Sequence, residues 1–193
     1  MNDETQVAIM DATRRALCEH GNAGLTVQRI ADESSLSTAA IHYHYETKEE
    51  LLNAFLEHLL ESFEEELACE ATDPRERLQT FLDAVFPDED RDDRFAVALI
   101  EIEAQAPYHE AYRDRLAAMD CRVRDVVADA VRDGVDGGQF READPEAVAR
   151  FVATAINGAQ VRDVALDESP DRTLTLIARH LERELGWAPE VLA

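Results

Sequence analysis

The side chains best suited to chemistry gather in residues 25–52, LTVQRIADESSLSTAAIHYHYETKEELL. Short hydroxyl and methyl groups come first (Ser37, Thr38, Ala39), then His42, Tyr43 and His44, then Lys48. Lys48 is the only lysine in the chain; the other eighteen of the 19 basic side chains are arginine. No nucleophile, base and orienting acid fall into a catalytic arrangement here or elsewhere, so no enzyme activity is expected. His42 and His44 are two residues apart and do not share a helical face, and no cysteine or third histidine is near them in sequence. Neither a metal nor a cofactor is expected. What these groups can do is donate and accept hydrogen bonds, pack methyl groups and place one ammonium against an anion.

The elements that must carry them read as helices. Residues 4–20 repeat apolar side chains at helical spacing, and Gly21 is a stop signal. Thr26 can cap a second helix, 27 to about 33, with Val27, Ile30 and Ala31 inward. Ser34-Ser35-Leu36 is a turn. Ser37 caps a third helix, 38 to about 43, which buries Ala40 and Ile41. Thr47-Lys48-Glu49-Glu50 is a capping box opening a fourth helix, striped by Leu51, Leu52, Phe55, Leu59 and Phe63 to about residue 67. Two short helices about a three-residue turn, with one helix before and one after, form the helix-turn-helix layout. In that layout the second helix enters the major groove with its N-terminal residues at base edges. Thr38 and Ala39 then read bases by hydroxyl and methyl contact, and His42, one turn on, reaches a base or a phosphate.

Residues 9–52 resemble the DNA-binding domain of the TetR family of transcriptional regulators. The matching pieces are Ile9-Met10-Asp11-Ala12, Leu17, Gly21, Thr26-Val27, Ile30-Ala31, Leu36-Ser37, Ile41, Tyr43-His44-Tyr45, Lys48-Glu49 and Leu51. Phosphates need donors: Lys48 at the start of the fourth helix, Thr26 and Gln28 at the second, and Tyr43 and His44 supply them, Ser37 joins the DNA-binding set, and Tyr45 belongs to the core. Two positions depart from the family. Ser35 stands where glycine is usual, which would strain a serine if φ is positive there. His42 stands where tyrosine is usual.

Charge runs against a DNA-binding protein. The formal net charge is −23, from 42 acidic and 19 basic side chains. Residues 1–50 hold nine acidic and four basic side chains, a net of −5. DNA-binding domains ordinarily show a basic footprint. Acidic, lysine-poor composition resembles that of proteins from salt-loving microbes with high internal salt. At such salt, counterion release gives little, and affinity would rest on hydrogen bonds and apolar contact, with a shallow dependence on salt.

The rest of the chain reads as an all-helical regulatory bundle, about nine helices in all. Asp73-Pro74 starts a fifth helix. Residues 87–93 read as an acidic loop, 95–106 as a buried helix and 108 to about 133 as a long one. Residues 134–140 read as a loop. Asp144-Pro145 opens a helix to about 166, and a last helix carries Leu174, Ile177, Leu181 and Leu185. Gly138-Gln139-Phe140-Arg141, Asp144-Pro145 and Ile156-Asn157-Gly158 again resemble TetR-family regulatory domains. Domain boundaries are expected at 1–50 (DNA binding) and 51–193 (ligand binding and dimerisation), with 47–68 linking them.

Candidate ligand-binding residues are Phe95, Leu99, Ile102, Glu103, Tyr112 and Phe151. Glu101 and Glu103 beside Phe95, Tyr108 and Tyr112 could hold a cationic ligand; the alternative is a solvent-facing acidic strip. Gly158 in mid-helix suggests close helix approach. The resemblance implies a homodimer through the last two helices, with Phe151, Ala155, Gly158, Ile177 and Leu181 in the interface. Three widely spaced cysteines (Cys18, Cys69, Cys121) are expected as buried or half-buried thiols, and no membrane span or leader is expected, so the protein should be cytoplasmic. Together these features point to a ligand-responsive repressor acting on double-stranded DNA with a small-molecule effector. The rival reading is an all-helical ligand-binding or interaction protein without DNA binding.

Overall fold

The computed structural model describes residues 3–66, 71–86 and 93–190. The acidic loop expected at 87–93 falls almost wholly outside the described residues, and so do Cys69 and the side chain of Phe63. Every regular element among the described residues is a helix: α1 (Asp3–Gly24), α2 (Val27–Asp32), α3 (Thr38–His44), α4 (Lys48–Glu66), α5 (Pro74–Val85), α6 (Asp93–Glu103), α7 (Glu110–Asp136), α8 (Pro145–Leu166) and α9 (Asp171–Leu185).

The starts follow the expected caps. Thr26 Oγ1 accepts the Arg29 N–H, and Ser37 Oγ accepts the Ala40 N–H. Asp73 and Asp144 cap α5 and α8, each with proline next in sequence. Such caps contribute about 1 kcal/mol each. At α4, Thr47 Oγ1 accepts the Glu50 N–H, but the Glu50 carboxylate reaches back to the N–H of Glu46 rather than that of Thr47. Gly21 breaks α1 as expected, with φ 63° and ψ 175°.

Three local readings change. Ser35 is not strained: the one described non-glycine residue with positive φ is Asp167. Ser34 supplies the turn instead, its hydroxyl donating to Ala31 O and accepting the Leu36 N–H. Gly134 lies inside α7, not in a loop. The returning N–H groups of Gln139 and Phe140 both bond its carbonyl, and a Cβ at Gly134 would stand 2.1 Å from the Phe140 ring. Cys18 is half-buried as expected, but Cys121 is exposed on α7, its thiol 3.7 Å from the Asp125 carboxylate.

The chain divides into two compact units. The first comprises residues 1–62 and 92–117. Its core joins Ile9, Met10 and Leu17 of α1 to Ile30, Ile41 and α4's Leu51, Leu52, Phe55 and Leu56. Ala98 and Ile102 of α6 and Tyr112 of α7 belong to the same cluster. Burying each of the larger side chains stabilises by about 1.5–3 kcal/mol. The second unit comprises residues 63–91 and 118–193. It packs Leu78, Phe81 and Leu82 of α5 against Val127 and Val131 of α7, Val152 of α8 and Ile177, Leu181 and Leu185 of α9.

Candidate nucleic-acid interface

The third helix is built to hold one face in and one face out. Ile41 is fully buried, Ala40 is half-buried, and Tyr45 closes the helix as a core residue. That anchoring leaves Ala39, His42 and Tyr43 exposed, Tyr43 at 87%, with Thr38 half-buried beside them. Thr38 and His42 are four residues apart and share a face, as do Ala39 and Tyr43. His44 is half-buried between two phenols, edge-on to Tyr43 at 5.4 Å and tilted against Tyr45 at 6.4 Å. Burial, with Glu50 and Glu57 nearby, holds the Tyr45 phenol above its ordinary pKa.

The other expected contacts divide by what they already do. Thr26 and Ser37 are exposed; their oxygens accept cap hydrogen bonds, and their O–H groups are donors. Gln28 is exposed, with its amide 2.8 Å from Asp32 Oδ1. Lys48 is half-buried, and its ammonium donates to the Asn22 carbonyl. Burial lowers its pKa, against the pull of Glu49 and Glu101.

The three arginines of residues 1–50 were not singled out by sequence; all are exposed, yet each also contacts its own unit. Arg14 lies over the Phe95 ring at 4.7 Å. Arg15 donates to the Glu33 carbonyl at 2.6 Å, at the end of α2. Arg29 donates to the Gly24 carbonyl. All four basic side chains of residues 1–50 therefore have a contact within their own unit, and nine acidic side chains outnumber them. Nothing in the local sequence separates a bracing arginine from a phosphate-binding one.

The candidate ligand residues do not form one set. Phe95, Ile102 and Tyr112 come together in the first unit's core, with Leu99 and Glu103 half-buried on the same helix as Ile102. Burial raises the Glu103 pKa. Phe151 belongs to the second unit, stacked on His180 at 3.7 Å. Glu101 does not turn to a ligand; its carboxylate accepts the Asn22 N–H. Tyr108 and Tyr112 instead line a cavity of about 370 Å³ with His109, Glu49, Glu50 and Glu110. Desolvation and the neighbouring Glu49 push the Tyr112 phenol up to about 12.

On α8 and α9, Phe151, Val161, Leu166 and Leu176 are exposed, Leu176 at 59%. Gly158 is exposed with open space around it, and Ala155 is half-buried. Ile177 and Leu181 are different: both are buried in their own unit's core and are not available to a partner. They sit on the inward stripe of α9 with Leu185, so the outward position is Leu176.

Residues 9–55 match the family described as bacterial regulatory proteins, tetR family, and residues 74–186 match the BetI-type transcriptional repressor C-terminal domain. The chain belongs to the TetR family of transcriptional regulators. A TetR transcription regulator from Haloarcula marismortui is 42% identical, with a TM-score of 0.88 over 95% of this chain and 99% of that one. A transcriptional regulator from Saccharomonospora viridis, solved in complex with choline, shares the fold at 21% identity, with a TM-score of 0.82 over 95% of this chain and 98% of that one. Among curated relatives, the BetI regulator of Agrobacterium fabrum is 26% identical over 61% of this chain, and the match spans 58% of its own length. The BetI regulator of Rhizobium meliloti is 26% identical over 80% of this chain and 75% of its own length. The TetR-type helix-turn-helix is thus α2, the turn at 33–37 and α3. No helix among the described residues is long and apolar enough to cross a membrane.

Proposed function

We propose that this TetR-family chain is a sequence-specific, ligand-responsive repressor that works in the cytoplasm as a homodimer on a pseudo-palindromic operator. The observation that carries the reading is the capped α3, anchored by Ile41 and Tyr45, with Ala39, His42 and Tyr43 exposed. Thr38 and Ala39 read base edges; Thr26, Gln28, Ser37, Tyr43, His44 and Lys48 contact phosphates. Residues 1–50 read DNA, while 51–193 pair subunits and bind effector, with Glu49 and Glu50 reaching the effector cavity from the start of α4. Pairing uses the outward side of α8 and α9, around Phe151, Ala155, Gly158 and Leu176, and sets two reading helices roughly 34–36 Å apart. An effector releases DNA only if it binds better to the dimer whose helices are wrongly spaced.

Footprinting on the region upstream of the chain's own gene, in molar KCl, is the test. Protection of a short inverted repeat is expected, with affinity that changes little as KCl is varied. Thr38→Ala should change the preference among sequences, and Lys48→Ala should weaken binding to all of them alike. Absence of any protected repeat would leave the rival reading, an interaction protein without DNA binding.

The cavity at Tyr108, His109 and Tyr112 favours one chemical class of effector. Aromatic faces and three carboxylates together suit an organic cation, the class to which choline belongs. Titration with choline tests this reading.

A further inference from the structure

Asn22 follows the break in α1, and its peptide links are gripped from both sides. Its N–H donates to Glu101 Oε2 of α6 at 2.5 Å, and its carbonyl accepts the Lys48 ammonium of α4. Gly21 makes the approach possible, since a Cβ there would stand 2.9 Å from the same Glu101 oxygen. Gly21, Asn22, Lys48 and Glu101 all belong to the first unit.

The anion draws on the N–H and the cation on the carbonyl of one residue, so two charge-assisted bonds fix the backbone of Asn22 on either side of its Cα. The side-chain oxygen of Asn22 is buried without a hydrogen-bond partner. An ammonium has three donors. One goes to the Asn22 carbonyl, and the clasp fixes where the other two can point. A lysine free in solvent gives up rotamer freedom when it meets a phosphate; one already held does not.

We propose that Glu101 is a positioning residue for DNA binding, holding the Lys48 ammonium in place through the backbone of Asn22 so that its remaining N–H groups meet a phosphate. The proposal rests on the reading of Lys48 as a phosphate contact. Glu101 touches no DNA; it acts from α6, outside the helix-turn-helix.

Lys48 is the only lysine, so 15N-lysine labelling gives one side-chain ammonium signal to watch. Two duplexes are used with the full chain, one from the region upstream of its own gene and one of mixed sequence. Lys48→Ala should weaken both by roughly tenfold, the scale of one hydrogen bond to a charged group. Glu101→Gln should weaken both by about three- to fivefold and shift the Lys48 signal, and the double variant should bind no more weakly than Lys48→Ala alone. A Glu101→Gln protein that binds like the wild type, or losses that simply add in the double variant, would overturn the proposal. Failure of the wild type to bind either duplex would instead defeat the DNA-binding reading beneath it. Should Glu101→Gln not fold, Glu101→Asp, which withdraws the carboxylate by one methylene, is measured the same way. In the wild type the ammonium protons should exchange slowly with solvent; exchange as fast as in free lysine counts against the clasp.

Discussion

Tyr112 serves two neighbourhoods with one side chain. Its ring is 3% exposed in the first unit's core, stacked on His109 at 4.8 Å, and its phenol meets the cavity near Glu49. Tyr108 is the opposite case, 81% exposed at the rim of the cavity. Choline should therefore bind the wild type. Tyr108→Ala should weaken it by about three- to tenfold, one cation–π contact, with no loss of helix content. Calorimetric titration decides it, and equal affinity in the two proteins would remove Tyr108 from the site. Sequence made Tyr45 legible as core, and it offered Tyr108 and Tyr112 to a cation. It could not say which acids would join them. Glu101 and Glu103 lie near them in sequence, whereas Glu49 and Glu50 come from α4, a long-range juxtaposition that no local pattern records.

Helix starts were legible because a cap is a local bond: Thr26, Ser37, Asp73 and Asp144 all cap the helices they precede. The end of α7 was not, because it depends on a residue that comes back. The sequence around Gly134 carries a loop signal, yet the helix continues to Asp136 while Phe140 folds its ring onto the Gly134 Cα. The absence of a side chain, not backbone freedom, is what Gly134 provides there. Gly134→Ala places a methyl 2.1 Å from that ring, and overpacking of this kind costs about 1–3 kcal/mol. Thermal unfolding should show the melting point of Gly134→Ala lower by several degrees. An unchanged melting point would mean that the ring moves aside without loss. The turn at Ser35 teaches the converse: a familiar glycine is replaced at no backbone cost because Ser34 makes the bonds that hold the turn.

At the scale of the whole molecule, the resemblance implies the last two helices as the pairing face, but two of the side chains expected there, Ile177 and Leu181, are buried in their own unit. Ile177 and Leu181 complete the core, and periodicity then turns Leu176 outward with Phe151 and Val161 of α8 also exposed. A glutamate at Leu176 should leave the core intact and put a charge where the partner's apolar surface would lie. Leu176→Glu should sediment as a monomer at a salt concentration where the wild type is a dimer, whereas a dimer of unchanged affinity would move the interface elsewhere. The net charge of −23 sharpens the choice of conditions, since self-repulsion between subunits relaxes only as salt screens it.

The first unit is not continuous along the chain, and this decides how such regulators can be recombined. A reading head transplanted as residues 1–50 would leave behind Phe55 and Leu56, together with Ala98, Ile102 and Tyr112 from beyond residue 90, all buried in the same cluster as Ile9 and Ile41. It would also leave behind Glu101, and with it one half of the grip on Asn22. The compact unit is a pair of segments, 1–62 and 92–117. An engineer grafting a new operator preference onto this chain has to exchange both, or confine the change to the outward positions of α2 and α3.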